Sequence, residues 1–127
     1  MATQTLSNMI TGLVASGDLS GAQYKAVKLA STAGAVVVCN ATSNIGIGIL
    51  LNDPTSGQPA SIAGPGSICK AWAGPADIAI NELLGYDTTG RLADHTTDNR
   101  PHIAQALEAS TAAGDFISVL VLGFGRY

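Results

Sequence analysis

Cys39, Cys69, His95 and His102 are the residues of this chain whose types could do chemistry. A thiol hydrolase needs a cysteine whose proton passes to a histidine, with a carboxamide or carboxylate orienting the imidazole. Both cysteines lie in apolar, strand-like runs with small neighbours, whereas His95 and His102 lie in or beside the polar stretch Asp94 to Pro101 (DHTTDNRP). No motif couples the two sets. The cysteines also lack a CxxC or other metal spacing, and with no sign of export they are expected to be free, buried thiols rather than a disulfide. His95 and His102 with Asp94 and Asp98 are the remaining candidate metal ligands, but loop residues separate them without the ordered spacing of a known metal site. They read as solvated loop residues. No metal, no other cofactor and no enzymatic activity are expected.

Gly46 and Gly48, in Ile45 to Leu51 (IGIGILL), invite comparison with the GxGxxG dinucleotide fingerprint. The third glycine is missing, and Asn52-Asp53-Pro54 ends the element where a helix should begin. The two glycines instead fall on one face of a strand, where the missing side chains let another backbone approach or let the strand bend sharply. No GxxxxGK[ST] run is present, so ATP-driven chemistry on a P-loop is excluded.

The elements that must carry these residues are short strands between turns. Lys25 to Leu29 and Ala35 to Cys39 have strong β propensity, and Asn40 to Asn44 and Asn52 to Pro59 are turns. Ala60 to Ala63 is a short strand closed by Gly64-Pro65-Gly66. Ser67 to Ala73 alternates, with Ile68, Lys70 and Trp72 on one face and Cys69 and Ala71 on the other. Lys70 beside the lone Trp72 marks a partly exposed edge, and Trp72 reads as a core or subunit-contact residue. Pro75 to Ile80 fits either a short helix or a loop, and Leu83 to Asp87 with Arg91 to Ala93 forms a hairpin.

The strongest hairpin is Ile103 to Leu122, turning through Ser110 to Asp115. Its second strand, Phe116 to Leu122, is nearly continuous in apolar residues and is expected to be covered on both faces. In its first strand, Ile103, Gln105, Leu107 and Ala109 form a greasy side opposite Ala104, Ala106 and Glu108. Leu50, Gly57 and Ser61 recur in order and spacing as Leu107, Gly114 and Ser118. Turn signals every 8 to 12 residues or so indicate an all-β barrel or sandwich.

With 127 residues the chain forms one domain. Its charged residues are only 12% of the total, about half the usual share, so much of its exterior is expected to be covered by copies of itself or by a partner. The net charge of −3 and pI near 5.0 argue against nucleic acid as a partner, since phosphate binding needs clustered Lys and Arg. No apolar run reaches the length of a membrane span, and the N-terminus lacks secretory-signal features. Residues 1–16 carry Leu6, Met9, Ile10, Leu13 and Val14 but no charged side chain. They read as an arm that orders on contact with a partner, leaving residues 17–127 as the β domain.

Six stretches together resemble the tailed-phage capsid cement, or decoration, family of the lambda type. They are Gly17-Asp18-Leu19-Ser20, Gln23-Tyr24, Val27-Lys28-Leu29, Ile45-Gly46-Ile47 through Asn52 and Pro54 to Gly57, Gly85 to Arg91 with Asp87 and Gly90, and Ala106-Leu107-Glu108-Ala109 through Gly114-Asp115 to Ile117-Ser118-Val119. The chain departs from the family pattern at Asn81-Glu82, where Gly-Asp is usual, and in a longer Asp94 to Arg100 segment. Asn tolerates the positive φ such a turn needs. The resemblance implies a small barrel-like (β-tulip-like) domain that is made in the host cytoplasm and sits on the outer surface of the virion. There it would form homotrimers at three-fold and quasi-three-fold positions, bind the major capsid protein through the arm residues, and stabilise the shell against DNA pressure. A head-fibre or host-surface module using the Asp94 to Pro101 loop on glycans is the alternative.

Overall fold

The computed structural model describes residues 9–94 and 101–126. Eleven strands, and among the described residues no helix, form two sheets, as the all-β reading expects. The first sheet takes β1 (Met9–Ile10), β2 (Val14–Ala15), β3 (Ala26–Leu29), β4 (Ala35–Val38), β5 (Gly46–Leu50) and β6 (Ile62–Ala63) in the order β1-β6-β5-β3-β4-β2. The second takes β7 (Ile68–Trp72), β8 (Leu83–Tyr86), β9 (Leu92–Asp94), β10 (Pro101–Ala106) and β11 (Phe116–Arg126) in the order β7-β11-β10-β8-β9. Pairing is antiparallel throughout except between β2 and β4. Residues 75–80 form no helix; Ile78 is buried, anchored by Ser110.

β1 and β2 follow each other in sequence yet lie at opposite edges of their sheet, so the sheet has to curl to let one short segment serve both. Residues 13–16 tie the open side of this half-barrel. On one flank Val14 N donates to Gly34 O (3.0 Å) and Ser16 N to Val36 O (2.9 Å); on the other Ala15 N donates to Gln58 O, Gly57 N to Ala15 O and Ala60 N to Leu13 O, each 2.9 Å. These bonds satisfy backbone groups that would otherwise line two bare edges. The expectation that residues 1–16 stand off the domain as an arm is therefore corrected for residues 9–16, within which Met9–Ile10 and Val14–Ala15 are edge strands of the first sheet. The sequence signal failed because two-residue strands are too short to show periodicity.

Two cores result. The first fills the space between the sheets and includes Ile49, Leu84, Tyr86, Leu92, Ile103, Ile117 and Val119. The second lies inside the curl, where Ala15, Leu19, Val27, Val36, Leu50 and Ile62 meet, with Ile10 and Leu13 packed against them. β5 serves both, and its glycines make that possible. A Cβ on Gly46 would lie 2.9 Å from the ring of Tyr86, and one on Gly48 would strike the backbone of Ala63. Tyr86, fully buried, accepts from Gly46 N (2.8 Å) and donates to Asn44 O, so the ring that needs the gap is held in it.

Two expectations about the long hairpin need correction. A bulge between His102 and Ala104 in the pairing with β11 leaves Ile103, Ala104 and Ala106 all buried, while Gln105 is half-buried and Leu107 exposed. Past the bulge it is the small side that enters the core, because the large side chains of β11 already fill it. β11 is covered fully on one face and in part on the other: Ile117, Val119 and Val121 are buried, and on the opposite face Ser118 is buried and Leu120 half-buried while Phe116 is 47% and Leu122 42% exposed.

Candidate functional site

The partly exposed face of the second sheet is built by strict alternation along its paired strands. In the register of β7 and β11, Trp72 lies opposite Phe116, Lys70 opposite Ser118 and Ile68 opposite Leu120. Gln105 of β10 extends the row beyond Leu120. Cys69 and Ala71 point the other way and are fully buried, whereas Ile68, Lys70 and Trp72 are half-buried on the edge strand, as the alternation predicts. The face is apolar with a few polar groups set into it.

At one end of this face three rings meet, from a chain that has only one Trp, three Tyr and two Phe. Trp72 and Phe116 lie 5.4 Å apart between centroids, and Tyr24 meets Phe116 edge-on at 5.6 Å. Tyr24 holds φ at 71°, a conformation costing a non-glycine residue about 1–2 kcal/mol. Its backbone is fixed from both sides: Tyr24 N donates to Leu50 O (2.6 Å) and Tyr24 O accepts from Trp72 N (2.9 Å), bridging the two sheets. The rings, with Ser20, Gly21 and Gln23, line a pocket of about 280 Å³.

Two ammonium groups rim it. Lys25 Nζ sits 5.1 Å over the Trp72 ring and Lys70 Nζ 5.2 Å over the Tyr24 ring, within cation–π range. The indole Nε1 of Trp72 is enclosed and has no hydrogen-bond acceptor among the described residues. A second hollow, of about 330 Å³, lies on the first sheet between Lys28, Leu29, Asn44, Ile45 and Ile47.

The residues singled out for chemistry are not brought together there. Cys39 and Cys69 are free and buried, and burial pushes both thiols up to about 12, so neither is a thiolate at neutral pH. His102 is half-buried in β10; His95 and Asp98 lie outside the described residues. Among the described residues no three of His, Cys, Asp and Glu cluster to hold a metal ion. Of the candidate contact residues near the N-terminus, Met9 (41%) and Val14 (36%) are exposed, Ile10 and Leu13 pack on the second core, and Leu6 lies outside the described residues. The Asp94 to Pro101 loop is described only at its ends.

Sequence reasoning reached Trp72 and Lys70 but missed the pocket. Its three rings are scattered along the chain, and only the sheet register and the Tyr24 bridge unite them. No model of a known protein family matches the chain, and no curated protein matches it significantly.

Proposed function

We propose that the chain is a structural binding protein of a tailed-phage head, a cement or decoration protein that sits on the outer surface of the shell as trimers at three-fold and quasi-three-fold positions. It contacts the major capsid protein and braces the shell against packaged DNA. The observation that carries this reading is the partly exposed apolar face of β7 and β11, where Phe116 and Leu122 stand outward, on a chain only 12% charged. Apolar surface in water costs about 25 cal/mol per Å², so covering it drives association. Many trimers each making weak contacts with several capsid subunits add through avidity.

Near the N-terminus, Met9 and Val14 are exposed and take the contact with the capsid, while Ile10 and Leu13 pack against the domain's own core. The test is to mix the purified protein with shells assembled from the major capsid protein of the same genome, then image them. Saturable density at three-fold positions is expected; bare shells at micromolar protein reject the reading. The second reading, a glycan-binding module, is favoured by one feature, the ring-lined pocket of Tyr24, Trp72 and Phe116 with its lysines. A carbohydrate array decides it, because a cement protein binds shells and no sugar.

A further inference from the structure

Two features at one end of the second sheet are complementary in shape and charge, and a single chain cannot join them. One is the pocket of Tyr24, Trp72 and Phe116, rimmed by Lys25 and Lys70. The other is the turn of residues 79–82, closed by Glu82 N donating to Ala79 O (3.3 Å), with Asn81 at φ 77°. Turn tips favour Gly, Pro, Asn, Asp and Ser. Here the tip is Ile80, 59% exposed, with Asp77 and Glu82 close by.

The turn is pinned to the sheet. Ile78 N donates to Ser110 Oγ (3.0 Å), Ala79 N to Glu82 Oε1 (3.1 Å), Asn81 N to Ala106 O (2.8 Å) and Ala106 N to Glu82 O (2.9 Å). Ile80 is thus held outward before any partner arrives, so little ordering cost remains for a contact made through it. The pocket lies on the β7 flank and the turn on the β8 flank of the order β7-β11-β10-β8. Three strand spacings of about 4.8 Å, roughly 14 Å in all, keep them apart. Opposite charges on opposite flanks make the pocket flank of one copy attract the turn flank of another, a head-to-tail contact that closes into a ring when the rotation permits.

We propose that Ile80 of one copy enters the Tyr24–Trp72–Phe116 pocket of the next, with Asp77 and Glu82 meeting Lys25 and Lys70, and that this contact builds the oligomer. The inference rests on the assembly reading above and assigns its contact. Ile80→Asp is expected to weaken self-association at least about 100-fold in sedimentation while leaving the melting temperature of the monomer unchanged. Lys70→Glu weakens it about tenfold, and adding Asp77→Lys to Lys70→Glu restores most of the loss. Oxidising a Ser20→Cys, Ile80→Cys double variant gives a covalent ladder that stops at the ring size, with Cys39 and Cys69 silent because they are buried.

A wild-type protein that stays monomeric at high concentration overturns the proposal, as does an Ile80→Asp variant that associates normally. If Phe116→Ala abolishes binding to an arrayed sugar and leaves association intact, the occupant is a sugar and the proposal falls. Failure of this contact is separable from failure of the assembly reading. Wild type that decorates shells with an association insensitive to Ile80→Asp refutes only the contact; a ring that leaves shells bare refutes only the decoration role.

Discussion

The first sheet sends apolar side chains into a core from each of its faces, and the second from one. In the first, neighbouring residues of one strand go to different cores: Ala26 and Ile49 face the second sheet, Val27 and Leu50 face the inside of the curl. The N-terminal strands make that possible by tying the curl shut. In the second sheet the strands are longer, and among the described residues Phe116 and Leu122 stay exposed while Leu120 is half-buried. The first sheet thus carries a core on each face, while the second carries one and turns Phe116 and Leu122 outward.

The largest expected effect breaks or confirms this contrast within one strand. Val119→Asp places an unpaired carboxylate at a position with no exposure, and its cost of several kcal/mol or more is comparable with a domain's whole stability of about 5–15 kcal/mol. Such a variant is expected to yield no cooperatively melting protein. Leu122→Asp, three residues on and facing outward, is expected to melt within about 1 kcal/mol of wild type. Circular-dichroism melts of the pair are the check; equal damage at both sites means the outer face is covered after all.

Deleting residues 1–16 comes next. It removes the five backbone bonds that tie the half-barrel, together with the packing of Ile10, Leu13 and Ala15. A net contribution of about 1 kcal/mol per bond, plus about 1–3 kcal/mol for each larger side chain, makes the loss several kcal/mol. The truncated protein is expected to lose its cooperative thermal transition or melt far below the full chain. An unchanged melt shows that the sheet closes without its strap.

Much of this fold is legible in the residues. The strand at Ala35 to Val38, the alternation of Ile68 to Trp72, the buried thiols and the glycine gap on β5 follow from periodicity and side-chain size. The repeat of Leu50, Gly57 and Ser61 as Leu107, Gly114 and Ser118 has a counterpart in hydrogen bonding, shifted by one residue on the first strand. In one hairpin Leu51 N donates to Ser61 O and Ser61 N to Asn52 Oδ1; in the other Leu107 N donates to Ser118 O and Ser118 N to Glu108 Oε1. Gly57 and Gly114 turn both at φ near 80°, and Asn81 takes the positive φ expected of it. What stayed hidden is long-range. Met9–Ile10 and Val14–Ala15 become strands only because distant edges need partners, and the pocket exists only because Tyr24 crosses between sheets.

A smaller effect tests how closely the two sheets are coupled. Gly90, in the turn between β8 and β9, has φ 86°, and a Cβ there would run into Val38 Cγ1 and lie 3.1 Å from Cys39 O. Ala26 N also donates to Gly90 O (2.8 Å), so this turn is one of the places where the second sheet is laced to the first. Gly90→Ala is expected to cost about 2–4 kcal/mol, from the left-handed backbone and the collision together. Gly57→Ala, at φ 81° with nothing within 4 Å, carries the backbone penalty alone, about 1–2 kcal/mol. Urea midpoints of the two variants measure the difference, and equal losses mean the turn can move away from Val38.

The smallest effect concerns the turn that launches β11 and sets Phe116 in the pocket. The Asp115 carboxylate accepts from Thr111 N (2.8 Å), Ala112 N (3.0 Å) and Thr111 Oγ1 (3.1 Å). The Thr111 backbone N–H, followed by that of Ala112, holds the carboxyl below its ordinary value of 3.8. Because the folded value lies below the unfolded one, the turn's contribution is present in full above the unfolded value and disappears as pH falls through the folded one. Asp115→Asn keeps one acceptor oxygen and loses the charge. It is expected to melt slightly below wild type at pH 7, and the gap should narrow as the pH falls below 3.8 toward the lowered folded value, where the wild-type carboxyl begins to take up its proton. Melting curves at pH 7 and pH 2.5 make the comparison, with Phe116 side-chain resonances reporting whether the pocket loosens in step. A gap of the same size at both pH values would show that the charge on Asp115 contributes nothing and that the turn is held by its backbone shape alone.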